Sequence, residues 1–459
     1  MPIRSLSVLS AGLFLLILAS ASVNAGSQPS SSDEIARPGG TVPKAEGLAL
    51  VKVADGFIDP VNVANAGDGS GRVFVVERAG KIQLVSKDGT RADKPFADFT
   101  PYGASVISPT GGFIQSQFIE QGLYSVAFHP KFNENGYFFV HYASVRLNGS
   151  GVIARFQVDP DSPDHLSLDR IAATEKHILT ISQPSYNNNG GQIAFGPDGL
   201  LYVGVGDGGW KAPRDAGQDA SLMLGSILRI DVDTADNVAY KIPPNNPLVG
   251  KPGRVYQEIW VHGFHNPYEF AFDSKSGALF VTDVGDSHFE EVNYIAPGHT
   301  GGANFGWPRM EGASCYPIHG ASSNVACDVT GSLPVAVYAH PKAGKAPEAN
   351  GSNFVCASAQ GLSVANYAGM KSVYLLADWC TGKVFGAGWD GDRWQLEELL
   401  ETSLHITAGG QDEAGHVLAV SAKFYDQNDN RNSVAGGALW RFVPRSQASA
   451  DVETAPLKQ

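Results

Sequence analysis

The feature that most constrains this chain is a strand–turn–strand unit that returns about six times along its length. An apolar segment, a turn with Gly or Asp, and a second apolar segment appear as VFVVERAGKIQLV (73–85) and as YFFVHYAS…GVIARFQVD (137–159). The unit recurs as LLYVGVGDGG…LGSILRIDVD (200–233) and ALFVTDVGDSHFEEVNYI (278–295). Two more follow, VYLLADWCTGKVFGAGW (373–389) and HVLAVSAKF…GGALWRFVP (416–444). Gly and Asp set the tight turn geometries, and helix signals are nearly absent. A count of 53 glycines, with only 17% charged residues, fits a turn-rich β protein. Antiparallel sheets repeated in one long chain protect their edges when they are arranged radially. The expected fold is all-β, a six-bladed β-propeller with long top-face loops. A stack of β-sandwiches is the alternative, but no linker separates sandwich-sized pieces.

Residues 1–25 read as a signal peptide: Arg4, the apolar run Gly12–Ala19, and small residues ending Val23-Asn24-Ala25. The expectation is export to the periplasm or secretion. No cysteine follows the cut, which argues against a lipoprotein, and no other stretch approaches 18 apolar residues. Residues 26–46, rich in Pro, Gly and Ser, read as a flexible linker, 47–445 as the propeller and 446–459 as a flexible tail. A net charge of −13 makes nucleic acid and anionic membrane surfaces poor partners. Cys315, Cys327, Cys356 and Cys380 suggest two disulfides in an exported protein. Three pairings are open; 315–327 and 356–380 close the most modest loops. A zinc site of all four cysteines is the rival reading, but no pair has the short spacing such sites use. The sequon at Asn148 matters only in a eukaryotic host.

Several stretches go beyond a generic propeller: PVNVANAGDGSGRVFVVERAGKI (60–82), EQGLYSVAFHPKFNENGYFFVHYAS (120–144), NGGQIAFGPDGLLYVGVGDGG (189–209) and LGSILRIDVD (224–233). HGFHNPYEFAFD (262–273), VGDSHFEEVNYI (284–295), GGANFGWPRMEGASCY (301–316) and ADWCTGKVFG (377–386) complete the set. Together and in this order they resemble the soluble quinoprotein glucose/sorbosone dehydrogenase-like family. Its Cys-containing branch includes Hedgehog-interacting-protein-like propellers. The resemblance implies a top-face site for pyrroloquinoline quinone (PQQ) and Ca2+, where a histidine takes a sugar hydroxyl proton while hydride passes to the quinone. A base with a pKa near working pH suits that step, and a calcium ion would polarise the accepting carbonyl.

Carried over residue by residue, the resemblance places Asn188, among Asn187–Asn189, where the family has its catalytic His, and Asn cannot accept the proton. The asparagines also read simply as caps of a strand-connecting turn. Asp207 matches the carboxylate that orients the family's His, and would act as base if burial raised its pKa. His265, where the family has Arg, is the other candidate base or cofactor contact, followed by Asn266; a packed His beside Tyr268 is the plainer reading. Gly285 and Asp286 match positions whose backbone carbonyls hold the cofactor's calcium. Glu291 matches a calcium carboxylate, with Glu290 beside it, and two acids on a solvated turn are the simpler account. Phe305 replaces the family's Tyr. For the cofactor's carboxylates the chain offers Gln121 next to Glu120, Lys383 near Cys380, His405 and Arg214, a thin set of cations. Each missing charge-assisted bond weakens tri-anion binding by about 1.5–3 kcal/mol.

The leading reading is an exported calcium- and PQQ-dependent oxidoreductase of a sugar or polyol, its electron acceptor unknown. The alternative is a non-catalytic propeller that binds a carbohydrate or protein partner, with residues 101–120 on the binding surface. A calcium-dependent hydrolase or lactonase rests on fold analogy alone.

Overall fold

The computed structural model describes residues 47–100, 120–144, 147, 149–159, 162–316, 331–340, 357–422, 436–448 and 453–457. The expected signal peptide and linker, Asn148 of the sequon, most of the 101–120 surface, Cys327 and Cys356 lie outside them.

Six four-stranded antiparallel sheets form the six blades of a propeller. Blade one holds Pro60–Asn65, Val73–Glu77, Lys81–Val85 and Ala97–Asp98. Blade two runs through Leu123–Phe128, Tyr137–Ser144, Ser150–Gln157 and Lys176–Ile181, and blade three through Ile193–Phe195, Leu201–Val205, Ser226–Ile230 and Ile259–His262. Blade four holds Asn266–Phe272, Leu279–Val284, Phe289–Ile295 and Ala336–Ala339; blade five Ala359–Ala365, Val373–Asp378, Lys383–Trp389 and Trp394–Glu401. In blade six, His405–Gln411, Val417–Ala422 and Gly437–Pro444 are joined by the first strand of the chain, Leu48–Phe57. That strand pairs antiparallel with Gly437–Pro444, so the ring is closed by chain segments from both ends of the domain.

The strands are apolar because both faces of each sheet are covered. Val73–Glu77 and Leu123–Phe128 are buried at every position. Six apolar clusters fill the six spaces between neighbouring blades. Phe74, Phe96, Phe128 and Phe138 pack between blades one and two. Tyr202, Trp260, Phe270 and Val281 pack between three and four. Face-to-face sheet packing of this kind supplies the core that a lone sheet lacks.

Residues 453–457 are ordered against the outer strands of blades five and six: Lys52 N–H donates to Glu453 O at 2.9 Å and Ser403 N–H to Pro456 O at 3.0 Å. Ala455 is buried there. The exposed edge of Leu48–Phe57 had donors and acceptors to satisfy, and the tail satisfies them.

Strands alternate in direction, so two kinds of loop emerge at one end, the top face. One kind joins an outermost strand to the next innermost strand; the other joins second to third strands. Arg78, Glu120, Asn188, Asp207, His265, Asp286 and His405 all sit on or beside such loops.

Candidate functional site

The site grows from the loop 182–192, where the three asparagines divide the labour. Asn189 is buried, its Nδ2 donating to Asn187 O at 3.0 Å and Ser185 O at 3.2 Å, while its Oδ1 accepts from Tyr124 Oη at 3.1 Å. Asn187 Oδ1 accepts from Ser185 Oγ at 2.6 Å. Asn188 adopts a left-handed backbone (φ 53°), a conformation that Asn tolerates better than most residues. Two of the three build the turn. Asn188 faces the site.

Its amide is the hub of a quartet. Asn188 Nδ2 donates to Asp207 Oδ1 at 3.0 Å and lies 2.8 Å from His265 Nε2, while its backbone N–H donates to Glu120 Oε2 at 2.7 Å. Close approach of these loops needs glycine at 206, where an added Cβ would lie 2.1 Å from Asn188 O. Asp207 also accepts from Gly209 N–H at 2.8 Å and from Trp307 Nε1 at 2.9 Å. His265 Nδ1–H donates to Val284 O at 2.6 Å, and Nε2 stands 3.8 Å from Asp286 Oδ1. Burial pushes the His265 pKa down. Asp207, Asp283, the Val284 carbonyl and Asp286 more than reverse this and carry it up to about 9. The facing acids thus favour the charged ring at a position where the resemblance implied Arg, while the ring accepts from Asn188 Nδ2 only when Nε2 is unprotonated. Desolvation pushes the Glu120 carboxyl up, against the pull of the Asn188 N–H and His265.

The remaining candidates are placed as follows. Asn266 belongs to the site's frame: its Oδ1 accepts from Gly190 N–H at 2.9 Å, and its N–H donates to Asp283 Oδ1 at 2.6 Å. Gln121 is buried, and its carbonyl accepts from Arg78 Nη1 at 3.3 Å. Lys383 is engaged by Glu398 at 2.7 Å, and His405 Nδ1 bonds Trp379 O at 3.1 Å. Arg214 is exposed on the same loop as Asp207. Gly285 N–H lies 3.3 Å from Glu290 Oε2.

The two glutamates do not gather around one point. As successive strand residues they point to opposite faces. Glu290 binds His340 Nε2 at 2.7 Å and Ala359 N–H at 2.9 Å; Glu291 takes Gly312 N–H at 2.5 Å and Asn293 Nδ2 at 3.2 Å. Burial raises the Glu291 pKa to about 7. Asp286 accepts from the Tyr316 hydroxyl. Among the described residues, no group of three or more His, Cys, Asp or Glu is arranged to hold a metal ion.

Sequence reasoning did not single out Trp307, Tyr316, Asp283 or Arg78. Trp307 arrives on the connection between the third and fourth strands of blade four, which begins at the bottom face. The connection climbs along blade three, where Asn304 bridges His262 and Trp307 N–H donates to Gly263 O at 2.9 Å. The Trp307 ring then meets His265 at 4.5 Å and Tyr316 at 4.9 Å. The Gly-Trp-Pro at 306–308 was its available signal. Asp283 accepts the N–H groups of both His265 and Asn266, and Arg78 is paired with Asp59 through Nε at 2.7 Å.

A family profile described as glucose/sorbosone dehydrogenase matches residues 57–340. HIPL2 protein of Arabidopsis thaliana is 30% identical over 371 residues, covering 70% of this chain and 50% of its own. Hedgehog-interacting protein of Mus musculus is 32% identical over 235 residues, covering 49% of this chain and 32% of its own. The chain thus spans about half or less of the length of these curated relatives. Among solved structures, the PQQ-bound aldose sugar dehydrogenase of Streptomyces coelicolor superposes with a TM-score of 0.60 at 22% identity, over 88% of this chain and all of that one. It shares the fold. The six blades and the profile match together make this chain a member of the glucose/sorbosone dehydrogenase family.

Proposed function

We propose that the top face binds a neutral sugar or polyol through the quartet of Glu120, Asn188, Asp207 and His265. The observation that carries this reading is the arrangement of groups: carboxylates and an amide gathered around one imidazole. Such groups accept and donate hydroxyl hydrogen bonds, and Trp307 and Tyr316 add an aromatic wall suited to the carbon face of a sugar ring.

The same arrangement does not fit PQQ, which presents three carboxylates. Among the described candidates Lys383 is held by Glu398, His405 bonds a backbone carbonyl, and Arg78 is paired with Asp59. His265 alone faces the centre, and acids surround it.

Oxidation of the bound alcohol is the second reading. It is favoured by one feature: a hydroxyl placed at the Asn188 amide would meet both an imidazole nitrogen and a carboxylate, 2.8 and 3.0 Å from that amide nitrogen. In that reading the chain is an exported calcium- and PQQ-dependent sugar dehydrogenase. Export and two disulfides belong to either reading. The even number of cysteines supports the second of these.

Calorimetric titration of the full chain tests both. Heat from monosaccharides or polyols, lost in Asp207→Ala, with none from PQQ in calcium, supports the binding reading. Tight one-site PQQ binding that EDTA abolishes would overturn it in favour of the oxidoreductase.

A further inference from the structure

Most large apolar side chains exposed on the described surface are scattered aliphatics, as is ordinary. Two are aromatic, and they stand together. Trp210, at 67% the most exposed of the group, and Tyr186, at 38%, have ring centroids 6.4 Å apart at an interplanar angle of 70°. Both lie on the top face. Tyr186 is two residues from Asn188, and Trp210 three from Asp207.

The two loops that carry them are fitted to each other. An added Cβ at Gly209 would lie 2.3 Å from Asn187 Oδ1, and Gly209 N–H is tied to Asp207 Oδ1 at 2.8 Å. The pair is thus rigidly joined to the quartet. Lys211 Nζ lies 4.8 Å from the Trp210 ring centroid, so the ring already receives polarised hydrogens. The exposed Trp210 indole, with Lys211 over one face, Tyr186 set edge-to-face beside it and Asn187 nearby, offers its open face to a pyranose, whose C–H groups form an apolar face within a ring of hydroxyls.

From this we infer that Tyr186 and Trp210 form an outer subsite that stacks a second sugar ring. The ligand is then an oligosaccharide, or the end of a polysaccharide, with one residue in the quartet and the next on the aromatic pair. This inference rests on the sugar-binding reading above and extends it to chain length. The pair's exposure has a physical cost in solvated apolar surface that a passing sugar chain would relieve.

The test is calorimetry on the full chain with glucose and with α-1,4 and β-1,4 glucans of two to four residues. Wild type, Trp210→Ala, Trp210→Phe and Tyr186→Ala are compared, with thermal unfolding as the folding control. In wild type the Kd for at least one linkage series should fall about tenfold from monomer to trimer, a typical contribution of one stacked ring. Trp210→Ala should remove that gain and leave the glucose Kd unchanged, while Trp210→Phe keeps part of it. A wild-type Kd independent of length, or a Trp210→Ala defect equal for glucose and trimer, overturns the subsite. Trp210-dependent trimer binding with no glucose heat would keep the platform and break the quartet reading instead. No heat from any glucan would break both.

Discussion

At the bottom face, Glu413 accepts the N–H groups of Asp68, Gly69 and Gly71 at 2.9, 3.1 and 2.7 Å. Beside it the Arg72 guanidinium is clasped between Asp68 and Asp164. This cluster ties together loops of blades one, two and six. At the top face a second gathering of charge joins blades two, three and four through Glu120, Asn188, Asp207 and His265. The bottom carboxylate is saturated by backbone donors whose positions are fixed by alternating glycines, as suits a clamp. At the top, Glu120 and Asp207 each take one backbone N–H, of Asn188 and of Gly209, but Asp207 also takes the Asn188 amide and the Trp307 indole N–H, side-chain partners that can exchange for a ligand's hydroxyls. The first is built as a structural staple; the second has the make-up proposed above for a site. Carboxylate count alone would not separate them, whereas the side-chain donors on Asp207 do.

The largest effect should come from wedging the top cluster apart. In Gly206→Ala the new Cβ would lie 2.1 Å from Asn188 O and 2.7 Å from Asn266 Oδ1. Overpacking against backbone should cost about 3 kcal/mol and displace Asn188. Denaturant unfolding and sugar calorimetry should show lost stability together with lost binding. Unchanged binding would detach the quartet from the ligand.

Glu413→Ala makes the converse test. Three N–H groups lose one acceptor in a partly solvated loop, so the expected cost is about 2 kcal/mol. Sugar binding should not move, because the change lies at the other end of the propeller. A binding loss equal to that of Gly206→Ala would erase the distinction between staple and site.

His265 gives a pH-dependent version of the contrast. Its folded pKa of about 9 lies above the ordinary value of 6.5, so the acids facing it stabilise the fold through the charged ring. That contribution is fully present below pH 6.5 and is lost as pH rises through about 9. The stability difference between wild type and His265→Asn, followed by denaturant unfolding from pH 6 to 10, should shrink over that window. A difference that grows with pH would mean that the ring is neutral in the folded protein.

The blades were legible because each strand pair carries its own turn residues. The top-face candidates were legible because they sit at strand ends. The rest depended on what lies across space. The first strand, Leu48–Phe57, finds its partner in Gly437–Pro444, and nothing local to either segment says so. Lys383 reads as a cation on a top-face loop, yet its cross-strand neighbourhood hands it to Glu398. Glu290 and Glu291 read as a pair of acids, but the pleat of the strand separates them. Trp307 belongs by chain position to the other face and reaches the site only through its pairing along blade three. The −13 charge of the chain likewise gave no hint that its top face would centre on an imidazole.

The smallest structural change sharpens the comparison most. Position 188 has a left-handed backbone (φ 53°), which histidine adopts almost as readily as asparagine, so Asn188→His should unfold within about 1 kcal/mol of wild type. The new imidazole would stand where the family resemblance implies a base. Burial would lower its pKa, and Asp207 with Glu120 would raise it, which leaves it able to exchange protons near neutrality. If loss of that one group is what separates this chain from its dehydrogenase relatives, dye-linked oxidation of glucose with added PQQ and calcium should appear in Asn188→His. If oxidation stays absent while sugar binding persists, the missing cations around the centre, rather than the missing base, keep this top face a binding site.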